Sequence, residues 1–507
     1  MSDIPLQPFR SALVLPWVVF AAGVALFWGN YLDDTYIHLR YAENFLQTGR
    51  MEYNPGQSSF GCSAPLYVWG MGPVLRWMPR DYWPLLPKLF SILCQAVTIA
   101  IFLDLYRRVG TQDAKGNQSA GAKWHLEAGL VTTALLCPPL VCRWLQDGME
   151  TSFATMLCAL GVWALAAPGE RGRLMAFVAS VALLGGLRVD LLPHAGCFLL
   201  AGLVSRPGRD MFLAVSTAVL LMSVPHVINL MTFGAIMPDT ALAKSVGGFD
   251  LTWLKGAATS IIAMHPLWLL LGAAPWICIL MLRNSGAGRE KILLAVLALP
   301  LLVVLLGGVM RNQIIQGARY FMPSLIMCGL AALTWGRGKV RGGGGTTGIA
   351  AALALALTLL MTVVCWPKIN GLRSGIQAEF PAELNGRSIF AADIGIIGWK
   401  THGVILDASR LVNGRAVAAL SSQEWCSQLA SRGMADSLIL DESDLASLAQ
   451  WLPGSVYDPV SGNIQLVAPD NQKISFEPRG IVMRQQTVGA LVEWSLWMKK
   501  PSAAPKP

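Results

Sequence analysis

The sequence predicts a polytopic α-helical membrane protein that ends in a small α/β domain. Hydrophobic residues make up 54% of its 507 residues, and charged residues only 14%. The apolar residues form repeated runs of roughly 20, the length of a membrane-spanning helix. From residue 367 onward, shorter apolar runs and frequent charges replace this pattern. We therefore expect a membrane domain at 1–366, an α/β domain at 367–498 and a disordered tail at 499–507.

The positive charge of the chain lies mainly in its loops. A formal net charge of +9 would by itself suit a nucleic-acid-binding protein. The Lys and Arg residues, however, cluster in short loops between apolar runs, where they orient a membrane protein. We therefore exclude nucleic acid as a partner. The ten Cys show no CxxC or Cys/His ligand spacing, so the sequence indicates neither a disulfide framework nor a structural zinc site.

Apolar length predicts about eleven spans. In chain order they are 11–29, 84–106, 126–141, 151–167, 174–187, 191–204, 211–231, 261–282, 292–309, 321–335 and 347–366. Basic loops placed inside leave the α/β domain outside the cytoplasm, and the acidic and unusual polar loops fall on that same side. The run 64–77 is short and interrupted by prolines, so we expect it to lie flat on the outer membrane surface.

The first outer loop, residues 30–66, carries two adjacent acids directly after span one. Asp33 and Asp34 are costly near a membrane unless they have a partner or a function. They could supply a general base, or hold a metal ion or an acceptor hydroxyl. The alternative is a helix cap beside a solvated acid. Residues 35–47 have the spacing of a helix, which Gly49 can end.

Several cations fall on the outer face. Arg40 has the spacing for an ion pair with Glu43, which is slightly favoured over contact with a lipid phosphate. Arg188, Lys244 and Arg319 lie at span ends, where such side chains either anchor a helix or bind an anion.

The α/β domain has its own local signals. Two short runs, 388–393 and 403–407, predict strands because apolar residues end at a turn. Two others, 421–432 and 442–451, predict helices that each have an acid near the start.

A series of motifs resembles the bacterial GT-C glycosyltransferases, which are integral membrane enzymes that use polyprenyl-phosphate sugars. The first outer loop contains D-D-T-Y-I-H-L-R-Y-A-E-N, Y-N-P-G and C-S-A-P-L-Y. Further matches follow in the same order, at 147–150, 188–190, 233–244, 319–320 and 393–398. The series looks most like the terminal arabinofuranosyltransferase AftB family. It departs from that family at Ser63, where T-S-P-L is usual, and at Asp239, where Asn is frequent.

The resemblance implies a GT-C fold in the bacterial inner membrane, with juxtamembrane helices and the active site on the periplasmic side. It implies transfer of a sugar, D-arabinofuranose in the family that it resembles, from a decaprenyl-phosphate donor. The implied acceptor is a periplasmic glycan, a lipid-linked glycan or a protein such as a pilin. No nucleotide or other cofactor is required, and a divalent cation could bind near the acid pair.

The resemblance also implies residue roles. Asp33 would be the general base, with Asp34 supporting it. Arg40, Lys244 and either Arg188 or Arg319 would hold the lipid phosphate. The remaining predicted substrate-binding residues are Tyr36, Asn54, Glu150 and Asp239.

Two other functions fit a polytopic chain. A transporter or flippase would place charges near the bilayer midplane, on broken helices in paired repeats. No internal repeat is evident here, and the polar clusters fall on one face, which favours an enzyme. A non-catalytic envelope scaffold is the third possibility, and in it Asp33 and Asp34 would be incidental.

Overall fold

The structure is a computed structural model that describes the chain with short gaps. The described residues are 11–113, 118–166, 171–244, 249–283, 287–311, 318–336, 346–372, 375–433, 435–452, 455–467, 473–486 and 491–500. They are mostly helical, with a mixed sheet toward the C-terminus. The chain forms two compact units, each built from three segments. Unit 1 contains 1–28, 88–230 and 245–369, and unit 2 contains 29–87, 231–244 and 370–507.

Helices account for nearly all regular structure before residue 373. The α-helices there are Leu15–Leu26, Asp33–Thr48, Pro65–Leu75, Leu85–Asp113, Gln118–Leu136, Pro139–Leu145, Thr151–Ala166, Arg171–Leu187, Leu192–Ser205, Arg209–Phe233, Asp239–Ala243, Thr252–Met264, Leu267–Met281, Gly288–Arg311, Met322–Ala331, Thr346–Val364 and Trp366–Leu372. Shorter helical turns are Ser11–Leu13, Arg80–Tyr82, Val189–Leu191, Ala318–Tyr320 and Ala332–Gly336.

The apolar helices are those of a membrane protein. Within the described ranges, three helical stretches are long and apolar enough to cross a membrane, or up to five if each of two bent pairs is one span. The three are Arg80–Arg108, Arg209–Phe233 and Gly288–Met310. The apolar runs predicted as spans are mainly helical where they are described. The prediction of about eleven spans and their sidedness remain predictions.

Two predicted spans are broken helices. His125–Leu136 and Pro139–Leu145 meet at a bend of 66°, at Cys137 and Pro138. The predicted span 261–282 likewise contains a break, because His265 is extended ahead of Pro266. Proline lacks an N–H and disfavours the helical conformation in the residue before it. Apolar length alone did not predict either break.

The α/β part of unit 2 contains a mixed sheet. Its strands are β1 (Ile376–Ala378), β2 (Ser388–Ala391), β3 (Val404–Asp407), β4 (Ser437–Leu440), β5 (Val456–Tyr457), β6 (Ile464–Val467), β7 (Lys473–Gln486) and β8 (Leu491–Lys499). Their order is β3-β2-β4-β8-β7-β6-β5, with β1 on β7. The β2–β3 and β2–β4 pairs are parallel, and the other pairs among the described strands are antiparallel. The predicted strands 388–393 and 403–407 are confirmed as β2 and β3.

Helices cover this sheet and complete its core. They are Gly395–Thr401, Arg415–Ala418, Ser422–Ser431 and Glu442–Trp451, with a short turn at Ala382–Leu384. The two predicted helices are confirmed, and capping boxes at Ser421 and Asp441 fix their starts. Phe390, Trp425 and Phe476 are buried together in the core between these layers.

Unit 2 also contains the first outer loop. The helix Asp33–Thr48 packs against Pro65–Leu75 and against Gly395–Thr401. Asn54 is fully buried, and its side chain bonds both backbone groups of Ile405 at 2.8 and 2.9 Å. The Asn54 side chain therefore joins the loop to β3 through both backbone groups of one residue.

Candidate active site

Asp33 is held by the backbone of a distant segment. It opens the helix Asp33–Thr48, directly after the extended Leu32. Its Oδ2 accepts a hydrogen bond from the N–H of Gly395 at 2.7 Å, and its Oδ1 accepts one from Ile396 at 2.8 Å. The residue as a whole is partly exposed, and these two bonds fix its carboxylate in place.

The electrostatics of Asp33 suit a base near neutral pH. Burial raises its pKa to about 6, against the two N–H bonds, which lower it, and with a smaller contribution from the charge of Asp34. A carboxylate with this pKa is mostly ionised at pH 7 and accepts a proton more readily than an ordinary aspartate.

Two further carboxyl groups lie close to Asp33. Asp34 is its partly exposed neighbour in the first turn of the helix. Asp393 belongs to the turn after β2, and burial followed by the charge of Asp33 raises its pKa well above the usual range. Asp393 is therefore the group expected to be protonated, which limits repulsion around Asp33. Among the described residues, no group of three or more His, Cys, Asp or Glu side chains is arranged to hold a metal ion.

Arg40 is buried in unit 2 and bonded to the chain. Its side chain is 3% exposed and lies 3.7 Å from Glu43. It also donates to the carbonyl of Tyr53 at 3.3 Å and lies 3.1 Å from His402 Nδ1. This geometry favours the ion pair over contact with a lipid phosphate, because burial and protein partners surround the guanidinium.

The other predicted residues of the first loop differ in exposure. Tyr36 is partly exposed one turn after Asp33 and borders a cavity. Asn54 is buried and bonded to Ile405, which is the environment of a structural side chain rather than of a substrate ligand.

Asp239 ties the segment 231–244 to the first loop. Its Oδ2 accepts from the N–H of Phe60 at 2.9 Å, and its own N–H donates to the carbonyl of Phe60 at 2.8 Å. The Phe60 ring stacks on Phe233 at 4.4 Å between centroids, and Arg415 lies 3.7 Å from the Asp239 carboxylate. Lys244 follows the helix Asp239–Ala243 and is partly exposed.

Unit 1 holds a separate cluster built from the other motifs. Arg188 forms an ion pair with Glu150, whose side chain is 1% exposed. The same guanidinium donates two parallel hydrogen bonds to the Asp190 carboxylate, at 2.8 and 2.9 Å. Arg188 and Arg319 both face the ring of Tyr320, at 5.6 and 5.4 Å from its centroid.

Asp147 adds a third acid, after Glu150 and Asp190, to the unit 1 cluster. It is 2% exposed and accepts a bond from the N–H of Met149 at 2.9 Å. Burial raises its pKa to about 7, against that bond and the charges of Arg319 and Arg143. The structure thus gathers the predicted residues by unit: Glu150, Arg188 and Arg319 in unit 1, and Asp33, Asp34, Tyr36, Arg40, Asn54, Asp239 and Lys244 in unit 2.

Sequence reasoning missed the partners of these side chains. Gly395 and Ile396 act through backbone N–H groups, which no side-chain motif shows. A glycine just after a strand and at the start of a helix was the available signal, because such positions present N–H groups. Arg80 was also missed, although it bonds Glu43 at 2.7 Å.

Comparisons with known proteins show a similarity of structure but not of sequence. No family model matches the chain, and no curated protein matches its sequence. Among solved structures, the chain is similar to ArnT from Cupriavidus metallidurans, determined by crystallography with undecaprenyl phosphate bound. The match covers 98% of each chain, with a TM-score of 0.48 and 12% sequence identity.

Proposed function

We propose that this protein is an integral membrane glycosyltransferase with Asp33 as its general base. It moves a sugar, D-arabinofuranose by the motif resemblance, from a polyprenyl-phosphate donor to a glycan or glycoprotein acceptor outside the cytoplasm. One observation carries the proposal. Asp33 is a partly exposed residue that follows an apolar helix, its carboxylate is fixed by two N–H groups at 2.7 and 2.8 Å, and burial raises the pKa of that carboxyl group to about 6.

The reaction needs one base and one leaving group. Asp33 accepts the proton of the acceptor hydroxyl while that oxygen bonds to the anomeric carbon of the donor sugar. The bond from the anomeric carbon to the phosphate oxygen breaks, and the lipid phosphate leaves with the electron pair. A positioned base of this kind contributes typically about 10²–10⁴-fold to a rate.

Phosphate binding is a separate part of the proposal. Lys244, which belongs to the same unit as Asp33, is the cation proposed to contact the donor phosphate, since a cation eases the departure of that charged group. Phosphate binding by Arg319 of unit 1 stays a prediction from the motif resemblance. Arg188 is already shared between Glu150 and Asp190, and Arg40 is buried on protein partners, so each is assigned a structural role.

The test is the Asp33→Asn variant in isolated membranes. Transfer of radiolabelled sugar from the polyprenyl-phosphate donor is expected to fall by about 10²–10⁴-fold, at an unchanged protein level. Asp210→Asn is the matched control, because Asp210 is an exposed acid in the first turn of another helix. Unchanged transfer by Asp33→Asn would remove Asp33 as the base. Mass spectrometry of envelope glycans with and without the gene identifies the sugar and acceptor.

A further inference from the structure

Unit 2 contains a cavity of about 520 Å³. Pockets for small ligands in proteins typically measure about 300–1,000 Å³. Its wall comes from four separated stretches of chain. They carry Tyr36 on the helix Asp33–Thr48, Arg80 and Asp81 on the turn Arg80–Tyr82, Phe380 after β1, and Lys400 on the helix Gly395–Thr401. None of the roles assigned above uses this cavity.

The positive side of the wall is held in place by the protein. Arg80 bonds Glu43 at 2.7 Å and the carbonyl of Trp399 at 2.6 Å, and its guanidinium lies 3.8 Å from the centre of the Trp399 ring. Lys400 Nζ donates to the carbonyl of Ala378 at 2.8 Å. These bonds restrict both cations, so the wall is largely formed before a ligand arrives.

The charges and rings of the wall suit a neutral, hydroxyl-rich ligand. Two cations, Arg80 and Lys400, and two acids, Asp81 and Glu379, line the cavity, so these four side chains leave no net charge to attract a phosphate. Carboxylates accept bonds from hydroxyl groups, and ammonium groups donate to them. The partly exposed ring of Phe380 offers an apolar face on which the C–H side of a sugar can pack.

We propose that this cavity binds a neutral oligosaccharide segment of the acceptor. The identification of this glycan as the acceptor rests on the proposed function. The binding of a neutral glycan in the cavity does not depend on it. Tyr36 and Asp33 are three residues apart on one helix and therefore share a face. A glycan packed against Tyr36 lies on the face of the helix that carries the base.

The experiment measures glycan binding separately from transfer. Saturation-transfer NMR is run on the full-length protein in nanodiscs with neutral trisaccharides of arabinofuranose, mannose and galactose, and with a trigalacturonate as the anionic counter-probe. At least one neutral probe is expected to bind. Phe380→Ala and Glu379→Gln are each expected to weaken that binding by about tenfold, the loss of one packing or hydrogen-bonding contact. Glu383→Gln, an exposed acid on the neighbouring turn, is expected to bind like the wild type.

Three outcomes overturn the inference: no neutral probe binds, the anionic probe binds more tightly, or Glu379→Gln binds normally with an unchanged melting temperature. Glu379→Gln keeps the side-chain size, so it remains informative where Phe380→Ala fails to fold. Asp33→Asn is expected to keep glycan binding while transfer is lost. A wild-type protein that binds the glycan through these residues but transfers no sugar would contradict the proposed function and leave the glycan site standing.

Discussion

Asp33 Oδ2 accepts a hydrogen bond of 2.7 Å from the backbone N–H of Gly395, a residue 362 positions further along the chain. This bond joins the first outer loop to the turn after β2. It gives the candidate base a fixed orientation, because the second oxygen is held in the same way by Ile396.

The pH dependence of transfer should show the pKa of Asp33. Burial raises that pKa to about 6, so protonation removes the base as pH falls through 6. We expect kcat/KM to be constant above about pH 7 and to decrease about tenfold per pH unit below about 5. Asp34→Asn removes a negative neighbour that raises the pKa, so its acid limb should shift to lower pH. A shift to higher pH would contradict this assignment.

Gly395→Ala should disrupt the contact with Asp33. A Cβ at this position would lie 2.0 Å from the Asp33 carbonyl oxygen, so one of the two segments must move. We expect transfer to fall by at least tenfold, since displacement of a catalytic group by about 1 Å can reduce a rate 10²-fold.

The control for this change is Gly70→Ala in the helix Pro65–Leu75. No atom lies within 4 Å of the Cβ that this change would add, and alanine favours a helix by about 1 kcal/mol over glycine. Its melting temperature should be equal or higher, with normal transfer. Equal transfer by both variants would show that the Asp33–Gly395 contact is not needed.

Asn54→Asp should affect stability more than catalysis. The change keeps the shape but removes the amide donor to Ile405 and adds a charge at a fully buried position. The unfolding free energy should fall by about 1–3 kcal/mol, measured by thermal unfolding in detergent. The transfer rate per folded molecule should stay near that of the wild type. Asn385→Asp, at an exposed position of unit 2, serves as the control. An increase in the acceptor KM for Asn54→Asp alone would instead support the predicted role of Asn54 in substrate binding.

Arg188→Gln should destabilise the cluster of unit 1. Glu150 is almost fully buried and would lose its cation. Removal of one partner from a buried ion pair costs about 3–5 kcal/mol, so a clear decrease in melting temperature is expected. Arg479→Gln is the matched control, because its pair with Glu477 is exposed on both sides and is worth about 0–1 kcal/mol. Similar melting temperatures for the two variants would contradict a structural role for Arg188.

Local signals in the sequence predicted the elements around the site. The spacing of 35–47 and the glycine that follows gave the helix Asp33–Thr48, where Gly49 adopts a φ of 73°. Acids near the helix starts predicted the helices Ser422–Ser431 and Glu442–Trp451, and the predicted bounds lie within one residue of the observed ones. These features depend on residues three or four apart, so the sequence contains them directly.

The sequence by itself determined the apolar helices, the position of Asp33 at a helix start and the grouping of motifs along the chain. Only the tertiary structure decided which motifs meet. It joined the first outer loop to residues 231–244 and 370–507 in one unit, surrounded Arg40 with protein partners and supplied Asp33 with two backbone donors. Main-chain N–H groups are the same in every residue except proline, so no sequence pattern identifies the ones that a distant carboxylate will use.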